Sequence, residues 1–242
     1  MEAKLTPARY WMVARWATAA YFLTGAVEIY FEMQGDRAAL YWVKPLLMPL
    51  LLLVYLASSR VRDASFLAML AFSWIANILF ISPEYPSIFA GSMFFFVFRV
   101  FSIYIVYKYC GPPKWFPLLV SCIPFLFVYL YLTWHVHHLI GDGLAIFIGQ
   151  CLLITFLGGL ALANYILISN RANLLLLGST LLFAATQFIF AGMVVYHQDG
   201  YFHALAMSLY IPGQYLFMKF VLAGAKSRSS DITFSGGIRL NP

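Results

Sequence analysis

Eight long apolar runs, separated by short polar turns, constrain the fold of this chain more than any other feature. About 20 apolar residues are enough to cross a bilayer as a helix, and short connections make consecutive helices antiparallel. Hydrophobic residues make up 63% of the chain and charged residues 10%, which excludes an ordinary soluble domain. The sequence therefore predicts an all-α membrane protein, with one eight-helix transmembrane bundle over residues 1–224 and a polar, disordered tail over 225–242. The runs span about residues 10–31, 39–58, 64–82, 88–109, 115–134, 140–169, 173–196 and 201–224.

The basic residues are distributed unevenly between the two ends of these runs. Ten basic residues lie at the end that contains both termini and the second, fourth and sixth connections. The connections at the other end hold one basic residue, Arg37. Because basic residues concentrate in cytoplasmic loops, this asymmetry predicts that both termini are cytoplasmic and that the protein lies in the cell membrane, plasma or inner. It also accounts for the net charge of +6 without a nucleic-acid partner. The ten are Lys4, Arg9, Arg15, Arg60, Arg62, Lys108, Lys114, Arg171, Lys226 and Arg228.

The second run carries a lysine and two prolines near its start. Lys44 costs about 2.5 kcal/mol or more inside hydrocarbon unless it reaches an interface or a partner. Pro45 and Pro49 each remove a backbone donor, which frees a carbonyl of the helix. Two interpretations stay open. In one, Lys44 extends to the near interface and the prolines lie in the first turns; in the other, Lys44 points into a polar pocket inside the bundle.

Arg99 lies at the middle of the fourth run, among phenylalanines. A guanidinium at this depth reaches neither interface, so we expect it to face the bundle interior and to be paired. Glu28 is the carboxylate within a run nearest that level, and we expect it to compensate Lys44 or Arg99. The alternative for the remaining polar residues is hydrogen bonding between helices as packing contacts. The residues predicted to line this interior pocket are Ser73, Asn77, Gln187, Tyr210 and Gln214.

The histidines offer a different kind of site. His135, His137 and His138 end the fifth run, and His197 and His203 flank the last connection. Three or four of them, with an aspartate, would be enough ligands for a zinc-dependent hydrolase. Their spacing does not place them on one helix face, so this is an alternative, and we expect no metal or cofactor.

Short motifs in order along the chain give a family resemblance. Lys44-Pro45 is followed by Met48-Pro49, Phe72-Ser73 opens the third run, and the last run holds Tyr210 with Gln214-Tyr215-Leu216. Over about residues 10–222 the chain resembles the YhhN family of membrane proteins, which includes the lysoplasmalogenases. The resemblance implies hydrolysis of the vinyl-ether bond of lysoplasmalogen lipids, and hence a membrane lipid or lysophospholipid as partner; it leaves the oligomeric state open.

The chain departs from the family pattern at the ionisable positions. The family has Gly-Asp in helix 3 where this chain has Ala76-Asn77, an Asp in helix 7 where it has Gln187, and often a His where it has Arg99. Amides cannot act as an acid or a base near neutral pH. By this alignment Asn77 and Gln187 occupy the catalytic positions, Glu28 is the residue that could substitute as the acid or base, and the activity is altered or lost. A protein that only binds or carries a lysolipid is the alternative. The predicted substrate-binding residues are Lys44, Ser73, Arg99, Tyr210 and Gln214.

Overall fold

The regular structure is all helical and contains no strand in the part of the chain that the structure describes. The computed structural model describes the backbone of residues 7–59, 62–196 and 200–235, and the side chains of residues 10–59, 62–193 and 200–226. Each predicted apolar run corresponds to a helix, and the prediction of an all-α membrane protein is confirmed. The helices are α1 (Pro7–Gln34), α2 (Arg37–Ser58), α3 (Ala64–Leu79), α4 (Tyr85–Cys110), α5 (Trp115–Ile140), α6 (Leu144–Leu167), α7 (Arg171–Tyr196) and α8 (Gly200–Ser235).

Several of these helices are suited to a bilayer by length and composition. In the described residues five segments qualify as spans, one of which comprises α5 and α6 together, so the chain is an integral multi-pass membrane protein. The sequence predicts eight crossings, whereas five segments meet the length and composition of a span among the described residues. Helix α3 is apolar but has 16 residues, a rise of about 24 Å against a hydrocarbon core of about 30 Å. Helix α1 is not among the five spans and carries Arg15, Glu28 and Glu32.

The helices pack as consecutive pairs. Contacts join α1 with α2, α3 with α4, α5 with α6 and α7 with α8, and α8 also packs against α1. Gly200, the first residue of α8, lies so close to the Glu32 carbonyl that a side chain there would collide with it. Helix α4 packs against α6 as well as α3. Gly35, Pro83, Gly143 and Gly200 lie together at one end of the bundle, which we call the cavity end. We call the opposite end, where Lys108 pairs with Asp63, the basic end.

Helix α2 continues through both of its prolines because another helix supplies a missing donor. Pro49 has no N–H to offer the carbonyl of Pro45, four residues earlier. The indole Nε1 of Trp74, on α3, donates to that carbonyl at 2.8 Å. The freed backbone group is therefore satisfied within the protein, as a hydrocarbon environment requires.

Asp63 ties the start of α3 to the end of α4 at the basic end. Its carboxylate accepts hydrogen bonds from the Ser65 backbone N–H at 3.0 Å, from Lys108 Nζ at 3.0 Å and from the Tyr109 hydroxyl at 2.6 Å. Burial by itself raises the pKa of this carboxyl, but the bonds from Tyr109 and Lys108 outweigh it and lower the pKa below its ordinary value. Asp63 therefore stays ionised and holds the two helix ends together.

The C-terminal segment differs from its predicted form where it is described. Helix α8 continues to Ser235, so the first residues of the predicted tail extend this helix. Residues 236–242, the rest of the predicted tail, lie outside the described residues.

Candidate functional site

Lys44 is buried inside the bundle and pairs with two carboxylates, which agrees with the interior pocket of the two interpretations. Its Nζ lies 2.6 Å from Glu32 Oε1 and 3.8 Å from Glu28 Oε1. Glu28 and Glu32 are one helical turn apart and share a face of α1. Glu28 is fully buried, and neither of its oxygens has a hydrogen-bond partner in the described part of the chain. These three residues form the Lys44 cluster, in which one cation faces two acids.

A second cluster is centred on the Tyr210 hydroxyl and contains no charged residue. Gln214 Nε2 donates to that hydroxyl at 2.7 Å and Asn77 Nδ2 at 3.1 Å, and Ser73 Oγ lies 2.5 Å from it. Gln214 Nε2 also lies 3.2 Å from Ser73 Oγ. All four side chains are buried, two on α3 and two on α8. This Tyr210 cluster brings four predicted site residues together and joins α3 to α8.

Arg99 faces the bundle interior, as predicted, but its partners are amides. Its Nε donates to Gln150 Oε1 at 2.9 Å and its Nη2 to Gln187 Oε1 at 3.0 Å. The guanidinium lies 5.0 Å from the centre of the Phe95 ring. The side chain is 1% exposed, and Nη1 has no hydrogen-bond partner in the described part of the chain. Arg99, Gln150 and Gln187 form the Arg99 cluster; Glu28, the predicted partner, lies beside Lys44.

A cavity of about 980 Å³ opens at the cavity end and reaches the Arg99 cluster. Phe95, Gln150 and Gln187 belong to its lining, and all three contact Arg99. The connections α1–α2, α3–α4 and α5–α6, together with Gly200 at the start of α8, contribute to its mouth, and most of its walls are apolar. The volume is at the upper end of the range for small-molecule pockets. Polar residues at its mouth include Glu32, Arg37, Ser82, Tyr85 and His203.

The predicted site residues reach this cavity to different degrees. Gln187 lines it directly, while Arg99 lies behind Gln187 and Gln150. Lys44 adjoins it through Glu32. Ser73, Asn77, Tyr210 and Gln214 do not line it; Phe95, whose ring centre lies 6.0 Å from that of Tyr210, stands between their cluster and Arg99. Asn77 and Gln187, the two amides that the resemblance aligns with acidic residues, thus belong to different clusters.

Three residues of the site were not assigned roles from the sequence. Glu32 is the closer partner of Lys44, and its four-residue spacing from Glu28 was the available signal. Gln150 is one of few polar residues in its run, but nothing local indicates that α6 adjoins α4. Phe95 carries no signal that separates it from its neighbouring phenylalanines.

The histidines do not form a metal site in the described part of the chain. The Nδ1 atoms of His135 and His137 lie 3.0 and 2.8 Å from backbone carbonyls of their own helix, and both side chains are exposed. His203 lines the cavity, and His197 lies outside the described residues. Among the side chains described, no three His, Cys, Asp or Glu residues are close enough to hold a metal ion.

Comparison with known proteins agrees with the motifs. No curated protein and no solved structure matches the chain. The YhhN family matches residues 40–221, about three quarters of the chain. The matched segment contains Lys44 and both the Tyr210 and Arg99 clusters, and begins after Glu28 and Glu32. The chain is therefore a member of the YhhN family.

Proposed function

We propose that this YhhN-family protein binds a single-chain membrane lipid, of the lysolipid class, in the cavity and does not hydrolyse its vinyl-ether bond. The observation that carries the proposal is the cavity: about 980 Å³, mostly apolar walls, and polar groups at both ends. Such a lining suits one long hydrocarbon chain with a polar group attached. The lysolipid class is what the resemblance to lysoplasmalogenases implies.

The absence of a suitable acid argues against hydrolysis. Cleavage of a vinyl ether requires a proton donated to the enol carbon and an anion to face the oxocarbenium ion that forms. Gln187 places an amide in the cavity, and its oxygen is bound to Arg99. Asn77 donates to Tyr210 instead of entering the cavity. Among the described residues that line the cavity, Glu32 is the one carboxylate, and Lys44 neutralises it.

Filling the cavity with a bulky side chain tests the binding. Ile146 lies in the cavity wall, and Ile148, two residues later on α6, is exposed on the outside of the bundle. We expect Ile146→Trp to weaken binding of an isotopically labelled lysoplasmalogen at least about tenfold, because the indole takes up the space of the chain. Ile148→Trp is the matched control and should bind as the unmodified protein does. Equal binding by both variants would show that the lipid lies elsewhere.

The same labelled lipid distinguishes binding from turnover. We expect bound lipid and no release of the fatty aldehyde. Glu32 is the observation that favours hydrolysis as a second candidate, because it is the acid on the cavity wall. If aldehyde is released and Glu32→Gln abolishes the release, the protein is a hydrolase with a relocated acid.

The membrane orientation is part of the proposal. We propose eight crossings with both termini cytoplasmic, supported by the concentration of basic residues at the basic end. In a variant without the native cysteines, Glu84→Cys at the cavity end should react with an impermeant reagent from outside, and Arg62→Cys should not. Both positions are exposed. If only the cysteine at position 62 is labelled from outside, the orientation is the opposite of the one proposed.

A further inference from the structure

Arg99 is a buried cation without a counter-charge in the described part of the chain. No carboxylate there pairs with it; the ion pairs are those of Lys44 and of Lys108. Its hydrogen-bond acceptors, Gln150 and Gln187, are neutral. A guanidinium keeps its charge even when buried, so this charge is not removed by loss of a proton.

The ionisable neighbours of the guanidinium do not supply the charge either. They are Tyr129, Cys151 and Tyr210, all weak acids that are neutral at ordinary pH. The Tyr129 hydroxyl donates a hydrogen bond to the Ala184 carbonyl at 2.7 Å, as a neutral phenol does. The surroundings of Arg99 are therefore polar but uncharged.

An unpaired charge of this kind is costly inside a membrane protein, and one at mid-membrane marks a site where a charged partner binds. Lys44 shows the alternative within the same bundle, because two carboxylates already surround it. Of the two buried cations, Arg99 is the one that adjoins the cavity without an acid of its own.

We propose that the lipid bound in the cavity carries an oxyanion, and that this group binds at the deep end against the Arg99 cluster. The proposal rests on the proposed function of the cavity. The ligand class is a single hydrocarbon chain with an anionic oxygen acid, either a carboxylate or the phosphate of a lysolipid. The oxyanion is attracted by the charge of Arg99, which lies behind Gln150 and Gln187 and whose Nη1 has no hydrogen-bond partner in the described part of the chain.

The two glutamines differ in how firmly they are held. Gln150 accepts from Arg99 Nε and donates its Nε2 to the Ser92 carbonyl at 2.9 Å, so both ends of its amide are fixed. The Gln187 amide oxygen accepts a hydrogen bond from Arg99 Nη2. With that oxygen occupied, the amide can bind a further group through its N–H donors. Gln187 is therefore the residue that offers N–H donors to an anion at this end of the cavity, and it positions Arg99 as well.

Matched pairs of amphiphiles test the charge without any change to the protein. One pair is a long-chain fatty acid and the fatty alcohol of the same chain; the other is a lysophosphatidate and the monoacylglycerol of the same chain. Binding to the purified protein is measured above neutral pH, where both acids are ionised. We expect the acid of at least one pair to bind about tenfold more tightly than its neutral counterpart, and the preferred pair identifies carboxylate or phosphate.

Substitutions assign that preference to Arg99. Arg99→Gln should bind the acid and the neutral lipid of a pair equally, while Arg99→Lys should keep part of the preference as a single point charge. Lys219→Gln is the matched control: Lys219 is half-buried and lies over the Tyr215 ring, away from the cavity lining. Equal binding of acid and neutral lipid by the unmodified protein overturns this inference and leaves lipid binding intact. Binding of neither lipid overturns the proposed function itself. An acid preference that survives Arg99→Gln also overturns the inference.

Discussion

Lys44 and Arg99 are two cations buried in one helical bundle, and their surroundings are opposite. Lys44 contacts two carboxylates, and its cluster holds one acid more than it has bases. Arg99 contacts two amides and an aromatic ring, and its cluster holds one base and no acid. Burial alone does not distinguish them, since the exposed fractions of Lys44 and Arg99 are 3% and 1%. The bundle thus provides counter-ions for one buried cation. The lack of one around Arg99, among the described residues, is what supports our proposal that an anionic ligand supplies it.

The largest effect should come from removing the lysine. Lys44→Met leaves Glu28 and Glu32 buried without a cation, and we expect a loss of about 3–5 kcal/mol in the free energy of unfolding. Arg99→Met should cost only about 1–3 kcal/mol, because the partners it leaves behind are neutral amides. Thermal unfolding in detergent compares the two. A larger loss for Arg99→Met would break the contrast between the clusters.

Giving Arg99 an acid should convert its cluster into one like that of Lys44. In Gln187→Glu the new carboxylate lies where the amide oxygen now accepts from Arg99 Nη2. We expect binding of the anionic lipid to fall at least about tenfold, while the lipid-free protein becomes no less stable. Equilibrium binding and thermal unfolding measure the two quantities. Gln214→Glu, which adds an acid to the Tyr210 cluster instead, is the control. If it lowers lipid binding by a similar amount, the loss is caused by the change in the protein's net charge and not by an ion pair with Arg99.

The uncharged Tyr210 cluster should affect stability and not binding. Tyr210→Phe removes the hydroxyl at which Ser73, Asn77 and Gln214 meet, and we expect a loss of about 1–3 kcal/mol of stability. Lipid affinity should stay unchanged, because none of the four residues lines the cavity. Tyr104→Phe, at an exposed tyrosine on α4, is the matched control for unfolding. A loss of lipid binding in Tyr210→Phe would contradict this prediction and show that the Tyr210 cluster takes part in lipid binding.

The smallest effect is expected at Asp63, the paired carboxylate of the basic end. Asp63→Asn should lower stability by roughly 1 kcal/mol at neutral pH, since Lys108 is partly exposed to solvent. The pKa of Asp63 is lower in the folded protein than in the unfolded chain. Its contribution is therefore fully present above the unfolded value of about 3.9 and is lost as the pH falls through the lower folded value. Thermal unfolding of both proteins over a pH series should show a constant difference near neutrality that disappears below about pH 4.

Much of the fold and part of the site could be predicted because helical spacing is a local property. Ser73 with Asn77, and Tyr210 with Gln214, were expected on shared faces because four residues make about one turn. The inward orientation of Arg99 followed from its depth, and the proximity of Glu28 to Lys44 from the scarcity of acids. These inferences need only the sequence of one helix and the thickness of a bilayer.

The remaining features depend on which helices are neighbours, and the sequence does not determine that locally. The contact of α4 with α6 is what gives Arg99 its Gln150 partner, and two helices that are not consecutive have no pattern in common. The separation of Asn77 from Gln187 has the same origin. The rotation of each helix about its axis decides which cluster a residue joins, and neither rotation can be predicted from one helix alone.

The exchange of a backbone donor for the Trp74 indole has a consequence for the order in which the chain assembles. Helix α2 enters the bilayer with the Pro45 carbonyl unsatisfied, because Pro49 follows it, and the missing donor is on α3. The Pro45 carbonyl is therefore satisfied only after α3 has packed against α2. A non-proline residue at position 49 would satisfy that carbonyl within α2, and the indole at position 74 would then no longer be needed for it.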